Sequence, residues 1–537
     1  MTVVGIAVSL LLILVYLWTL EGIWRVPFRA LGVLVAGLAI QSVLIMLLLR
    51  LRTPHLLLRI IQEWMVGLFV VLGALALRLA WRALRGRRRP AIIASDVIAG
   101  AFTALILVYA ILPRAILPGR GSPRQTLGSL AVLLLLPGLY LCGRVFRTDR
   151  REDLRWVARA LLATAMLVGL LGVIELWFVP SRLWIHWGVA GLGNWLDTAF
   201  SGPGGLPETF FQSIGPGLAL RRLVSTFLNP TGVAVTGLLI APLAVAVLGP
   251  WRVDGLAKGF RWAAVSLLAL GVILSLSWLV VAALVVEAVL LAVLLHRREV
   301  VIAAGGIIVA SLLVLFLYPA RGPVVTSTLA DARPPAGYTL VRDLARTAAR
   351  LGLPGTPRVA PESTAPTSAR LPAAGSTDGL RAAGLSLRGD FDAALEGLST
   401  AWRHPLGIGL QPMPSGAQLS AGTGSGALSN LVDEVGILGG LLFLAFYGLA
   451  VASAFRTVRR TPRDPLATGF ALITFVGGLA LLPIMLSTDI WSVTAATVLF
   501  WWTAGMNAGT APDAVSATPA PLPTSIAAAG PVDAACP

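Results

Sequence analysis

Apolar runs close to the length that a bilayer core demands recur from one end of the chain to the other. About 20 helical residues cross a hydrocarbon layer of roughly 30 Å. Inside lipid the backbone must satisfy its own N–H and C=O groups, so such runs fold as helices. Candidate spans fall at 3–20, 30–49, 62–81, 91–112, 127–146, 156–178, 231–249, 262–276, 279–295, 300–318, 433–454, 466–486 and 489–506. The expected fold class is all-α, a polytopic membrane protein of about 12–13 transmembrane helices. Composition agrees: with 57% hydrophobic and 12% charged residues, too little polar surface remains to cover a soluble domain.

The net charge of +17 is carried almost wholly by arginine, Lys258 being the single lysine. The basic residues gather in short loops, at 82–89, 144–155, 296–299 and 455–464. That is the positive-inside pattern of a membrane protein rather than a nucleic-acid footprint, and it sets those loops in the cytoplasm. Alternation then puts 179–230 and 319–432 outside. Arg50, Arg52 and Arg59 do not fit this scheme. Cys142 and Cys536 offer neither a disulfide framework nor a CxxC metal pair, and no metal or cofactor is expected. The N-terminus lacks the basic region of a cleavable signal peptide.

Five regions follow. Residues 1–154 form an N-terminal transmembrane bundle, and 155–318 a core that includes the first outer loop, 179–230. A large, partly helical extracytoplasmic loop spans 319–432, with a disordered Pro/Ser/Thr/Ala linker at 353–379. Residues 433–506 are C-terminal transmembrane helices, and 507–537 a disordered cytoplasmic tail. In the first loop, Trp184, Trp187 and Trp195 suit the headgroup level. In the second, Leu340, Leu344 and Ala348 lie on one helical face, with Arg342, Arg346 and Arg350 on another. Phe391, Leu395, Leu398 and Trp402 stripe a second amphipathic helix that ends at His404.

Arg221 and Arg222 stand side by side at an outer membrane entry, where basic residues are scarce. One reading is snorkelling, in which the long side chain keeps its charge at the headgroups. The other is an anion site, since guanidinium forks bind phosphate oxygens bidentately. The following "STFLNP" adds hydroxyl and amide groups at a helix start, whose free N–H groups also favour an anion. Arg388 opens the second amphipathic helix, and "HPLGIGL" closes it with a tight turn. Asp433 and Glu434 follow at the next span, either as helix N-terminal carboxylates or as a general base. Glu287 lies within an apolar run, where a carboxylate is costly. It reads as a helix contact or as the mark of a transporter.

Three stretches, in order, carry a resemblance. "ALRRLVSTFLNPTGVAV" looks like the R-x-x-G-x-F-x-N-P-N signature of the O-antigen ligase and polymerase superfamily of membrane glycosyltransferases. "AWRHPLGIGL" is similar to its P-x-G-x-G turn, and "SNLVDEVGILGGLLFLAFYGL" to its H-N-x-x-L-x-x-L-x-E-x-G-I-I-G segment. The resemblance covers roughly residues 155–505 and implies metal-independent transfer of a glycan at the outer face of the cytoplasmic membrane. The donor it implies is an undecaprenyl-pyrophosphate-linked glycan, and the acceptor a glycan, a lipid or a protein. Arg221, Arg222 and Arg388 correspond to its pyrophosphate-holding arginines. Asn229, Ser429 and Asn430 would line the site. Ser429 replaces the family's acceptor-activating histidine, Trp278 the arginine of its S-R segment and Thr231 the second Asn of N-P-N. His404 and Glu434 are therefore the candidate catalytic residues. A non-catalytic relative that binds the lipid-linked glycan, or a transporter or flippase, are the alternatives.

Overall fold

The computed structural model describes residues 2–85, 92–112, 117, 123–196, 198, 200–215, 217–248, 257–329, 331–350, 402–410, 426–461 and 464–508, with 384, 388, 389, 392, 395 and 399 between them. The expected linker at 353–379 lies outside the described residues, as does the expected tail from 509 onward.

The described residues are mostly helical. The elements are α1 (Thr2–Arg25), α2 (Ala30–Arg50), α3 (His55–Gln62), α4 (Trp64–Arg85), α5 (Ala94–Ile111), α6 (Pro123–Val145), α7 (Arg151–Phe178), α8 (Ser181–Trp187) and α9 (Val189–Trp195). Then come α10 (Pro230–Ala246), α11 (Lys258–Leu274), α12 (Trp278–Leu295), α13 (Arg298–Arg321), α14 (Ala336–Arg350), α15 (Ala427–Arg460), α16 (Pro465–Ser487) and α17 (Thr494–Ala508). Each expected span coincides with one of these helices. Against the 12–13 expected, ten helices among the described residues are long and apolar enough to cross a membrane, and α10 is a shorter apolar helix. Two of the differing boundaries bear on the site. The α15 helix begins at Ala427 rather than 433, and α17 begins at Thr494 rather than 489, leaving 488–493 as a connecting loop.

Burial sorts the helices. All 17 residues of α10 are buried, as a helix apolar all round must be, and α16 and α17 join it at the centre. Outer helices turn large apolar side chains outward: Leu14 is 63% exposed, Trp18 74% and Leu313 52%. Such surfaces on long apolar helices mark contact with lipid or another apolar partner. The α6 and α17 backbones cross at two glycines. A Cβ at Gly143 would collide with the Trp502 carbonyl, and one at Gly505 with the Tyr140 carbonyl. Small residues permit such an approach between membrane helices.

Four short strands depart from the all-helical expectation: β1 (Phe211–Gly215), β2 (Leu218–Arg221), β3 (Val324–Thr326) and β4 (Asp331–Arg333). They form one antiparallel sheet in the order β1-β2-β3-β4. Phe211 pairs with Arg221, and Leu220 with Val324. The sheet thus ties the two long segments, 179–230 and 319–432, to each other. Trp184 is 4% exposed and packs on Phe210, so protein rather than lipid surrounds its ring. The poorly fitting arginines also find a place: Arg50 Nη2 lies 2.9 Å from His186 Nε2, at the end of the bundle where α8 and α9 pack.

Candidate functional site

Arg221 closes β2 and points inward. Its Nη2 lies 2.6 Å from Glu175 Oε1, with side-chain exposures of 3% and 7%, and its Nη1 donates to the Val179 carbonyl. Its backbone is fixed as well, because Arg221 N–H donates to Pro323 O at 3.0 Å and the Tyr318 hydroxyl donates to Arg221 O at 2.9 Å. Glu175 also accepts from Trp184 Nε1 at 3.2 Å and from Val224 N at 3.4 Å. A buried charge needs such a full set of partners.

Arg222 turns the other way and is half-buried. Its Nε donates to Ser275 O and its Nη2 to Ser277 Oγ, both at 2.7 Å. These residues belong to the link between α11 and α12, just before Trp278. Three of the described non-glycine residues with left-handed backbone gather here: Ser225 (φ 49°), Leu228 (φ 52°) and Leu276 (φ 53°). Each costs roughly 1–3 kcal/mol, and such strain collects at functional sites. Asn229 follows as the N-cap of α10, its Oδ1 accepting from Thr231 N at 2.8 Å.

A second cluster joins the second and third of the motif-like stretches. The α15 helix breaks at Val435 (φ −118°, ψ 15°) and Gly436 (φ 73°, ψ 177°). In an unbroken helix the Asp433 carbonyl would accept from Ile437 N–H. Here both groups bond to the "HPLGIGL" turn: Ile408 N–H donates to Asp433 O at 2.6 Å and Ile437 N–H to Pro405 O at 2.9 Å. Gly409 N–H donates to Glu434 O at 3.2 Å, and the Tyr109 hydroxyl to Leu406 O at 2.5 Å. The turn so replaces the hydrogen bonds that the kink removes. Gly407 (φ 76°) must be glycine, for a Cβ there would lie 2.6 Å from Gly436 N.

His404 is exposed at the head of this turn, near enough to Asp433 to act on it electrostatically. Asp433 Oδ1 is buried with no hydrogen-bond partner among the described residues. Asp433 and Glu434 sit just before the break and not in the first turn of α15, because the helix starts earlier than expected. Ser429 donates to Gly426 O at 2.9 Å, and Asn430 N–H to the same carbonyl. Beside them, Ala427 N–H donates to Thr488 O at 3.1 Å. The neighbouring Asp489 is pushed up to about 6 by burial, against N–H groups of Ser492 and Trp491 that favour its charged form.

Arg388 stands apart from both clusters. It is exposed, and the ion pair it makes among the described residues is with Asp392 at 3.9 Å. The described residues from 384 to 403 are helical, yet Leu395 (52%) and Trp402 (77%) face outward. Among the described residues no three His, Cys, Asp or Glu side chains gather as metal ligands would. Glu287 is fully buried, and both its carboxylate oxygens lack a partner among those residues.

Sequence reasoning missed Glu175, Ser275, Ser277 and Gly436. Glu175 had a signal, a lone carboxylate in "LLGVIELWF", of the same kind that drew attention to Glu287. The hydroxyl partners of Arg222 had none, because only folding brings the 275–277 link to residue 222. No protein-family model matches the chain, and no curated protein does.

Proposed function

We propose that this is a multi-pass protein of the cytoplasmic membrane that transfers a glycan from an undecaprenyl-pyrophosphate carrier to an acceptor at the outer face. The observation that carries the reading is the interlock of "HPLGIGL" with the break at Gly436. Two stretches that resemble glycosyltransferase motifs meet there as one backbone unit, with His404 at the head of the turn that bonds the Asp433 carbonyl. Arg222, half-buried next to a strained link, binds the pyrophosphate, while buried Arg221 fixes the segment that presents it. Arg388, on its exposed helix, adds a second positive charge over the carrier. Ser429 and Asn430 line the path between the motifs, while buried Asn229 caps the helix that follows Arg222.

In this scheme the acceptor oxygen or nitrogen attacks the anomeric carbon of the donor. The bond from that carbon to the pyrophosphate breaks, and the electron pair leaves with the pyrophosphate. His404 takes the acceptor proton, and Asp433 offsets the charge of the imidazolium. Glu434 is the reserve base.

The test is release of undecaprenyl pyrophosphate from a lipid-linked oligosaccharide by the purified protein in nanodiscs, with host extract as acceptor source. His404→Ala should lower the rate by about 10²-fold or more while donor binding persists. Arg222→Ala should weaken donor binding itself. Wild-type rates in both variants would refute the assignment.

Fully buried Glu287 favours a second reading, a transporter or flippase, because an intramembrane carboxylate marks ion or substrate paths. Donor release unaffected by Glu287→Gln, alongside loss in the arginine variant, decides against it.

A further inference from the structure

The α14 helix has an apolar stripe that the described residues cover only at its start. At about 100° per residue, Gly337, Leu340, Val341 and Leu344 fall within one stripe, and Arg342 lies opposite. Sequence spacing puts Arg346 and Arg350 on the same side as Arg342. Leu340 is 60% exposed, Val341 54% and Leu344 61%. The helix is seated by the same stripe: a Cβ at Gly337 would lie 2.5 Å from Phe178 Cε1 and 2.9 Å from Trp177 O. Backbone therefore rests directly on the end of α7. On α7, Leu167, Leu170, Leu171, Ile174, Trp177 and Phe178 are all exposed, at 38–47%, at the spacing of one helical face. The outward apolar face of α7 thus runs without a gap into the outward face of α14.

We infer that α14 is an interfacial helix, lying in the headgroup layer of an anionic lipid leaflet with Leu340, Val341 and Leu344 turned into the acyl boundary. Continuity with α7 selects a bilayer as the partner, and the arginine face selects anionic headgroups. The inference rests on the membrane reading of the apolar helices, and it gives the 319–432 segment an anchor on the surface where a lipid-linked donor presents its pyrophosphate. Arg342 stacks over the Tyr338 ring at 6.0 Å, which holds the guanidinium on the polar side, where phosphates lie.

The test is spin-label accessibility in the full-length protein, with Cys142 and Cys536 changed to serine, in nanodiscs of mixed phosphatidylglycerol and phosphatidylcholine. Labels at Leu340→Cys and Leu344→Cys should collide more with oxygen than with a water-soluble nickel chelate, and one at Asp343→Cys the reverse. Labels at Leu171→Cys and Leu312→Cys, on α7 and α13, report the bilayer itself. If those two favour oxygen but 340 and 344 favour the chelate, the interfacial helix is overturned while the membrane reading stands. If all four favour the chelate, the membrane reading has failed first. Replacing phosphatidylglycerol by phosphatidylcholine should shift 340 and 344 toward the chelate, and an unchanged ratio would remove the anionic preference.

Discussion

Arg221 joins the end of β2 to the end of α7 through the carboxylate of Glu175, charge to charge at 2.6 Å inside the protein. Taking away one partner strands the other in a site closed to water. Arg221→Ala or Glu175→Leu should therefore cost about 3–5 kcal/mol, whereas the paired change Arg221→Met with Glu175→Leu should cost much less. Denaturant unfolding of all three in the same detergent gives the coupling. Additive losses would mean that the pair acts as two independent groups.

The kinked joint makes a sharper demand. Gly407→Ala puts a Cβ against Gly436 N in a left-handed backbone (φ 76°), and Gly436→Ala meets the Leu406 carbonyl carbon at 2.7 Å. Either change should cost roughly 1–3 kcal/mol or more and release the turn. Hydrogen exchange at the Ile408 and Ile437 amides is the readout, with faster exchange at both expected. Protection equal to wild type would show that the turn tolerates a side chain.

Asp489 gives the protein a stability that depends on pH. Burial raises its folded pKa to about 6, above the ordinary 3.8. The unfolded chain therefore loses this proton first as pH rises. The group's contribution is complete below about pH 3.8 and is lost as pH climbs through about 6. Asp489→Asn keeps an oxygen for the Trp491 and Ser492 amides and cannot ionise. Its stability relative to wild type should grow between pH 4 and 7, and a constant difference across that window would contradict the shift.

Arg222 and Asn229 separate function from folding in the same segment. Asn229→Ala removes the N-cap of α10 and should cost about 1 kcal/mol with donor binding retained. Arg222→Lys keeps the charge but loses the fork that spans Ser275 O and Ser277 Oγ. Donor binding should fall in the lysine variant, and equal binding in both variants would argue against geometric recognition by Arg222.

Most of the helical frame was legible in the sequence, because membrane-length apolar runs leave the backbone little choice. What stayed hidden depends on contacts distant in the chain. The strands are three to five residues long, too short for a clear alternation. The sequence marked Trp184 as an interfacial aromatic, but nothing in it named Glu175 as the acceptor of the indole N–H. The arginine pair read as one feature and divides into two: Arg221 faces a carboxylate in the interior, Arg222 a carbonyl and a hydroxyl on the adjacent link. Arg221 is the last residue of β2 and Arg222 opens the segment after it, so the division falls at the end of a strand that the helical reading did not contain. The meeting of "HPLGIGL" with "DEVG" was equally unreadable, since nothing local to either stretch names the other.

The crossing of α6 and α17 bears on assembly. Gly143 and Gly505 let these backbones touch, yet one helix emerges early from the ribosome and the other only after residues 494–508 have been made. Through most of synthesis α6 therefore waits without the helix that its narrow glycine notch fits. The tightest seam of the bundle is then among the last to close, and a chain cut short before Thr494 would carry that notch open.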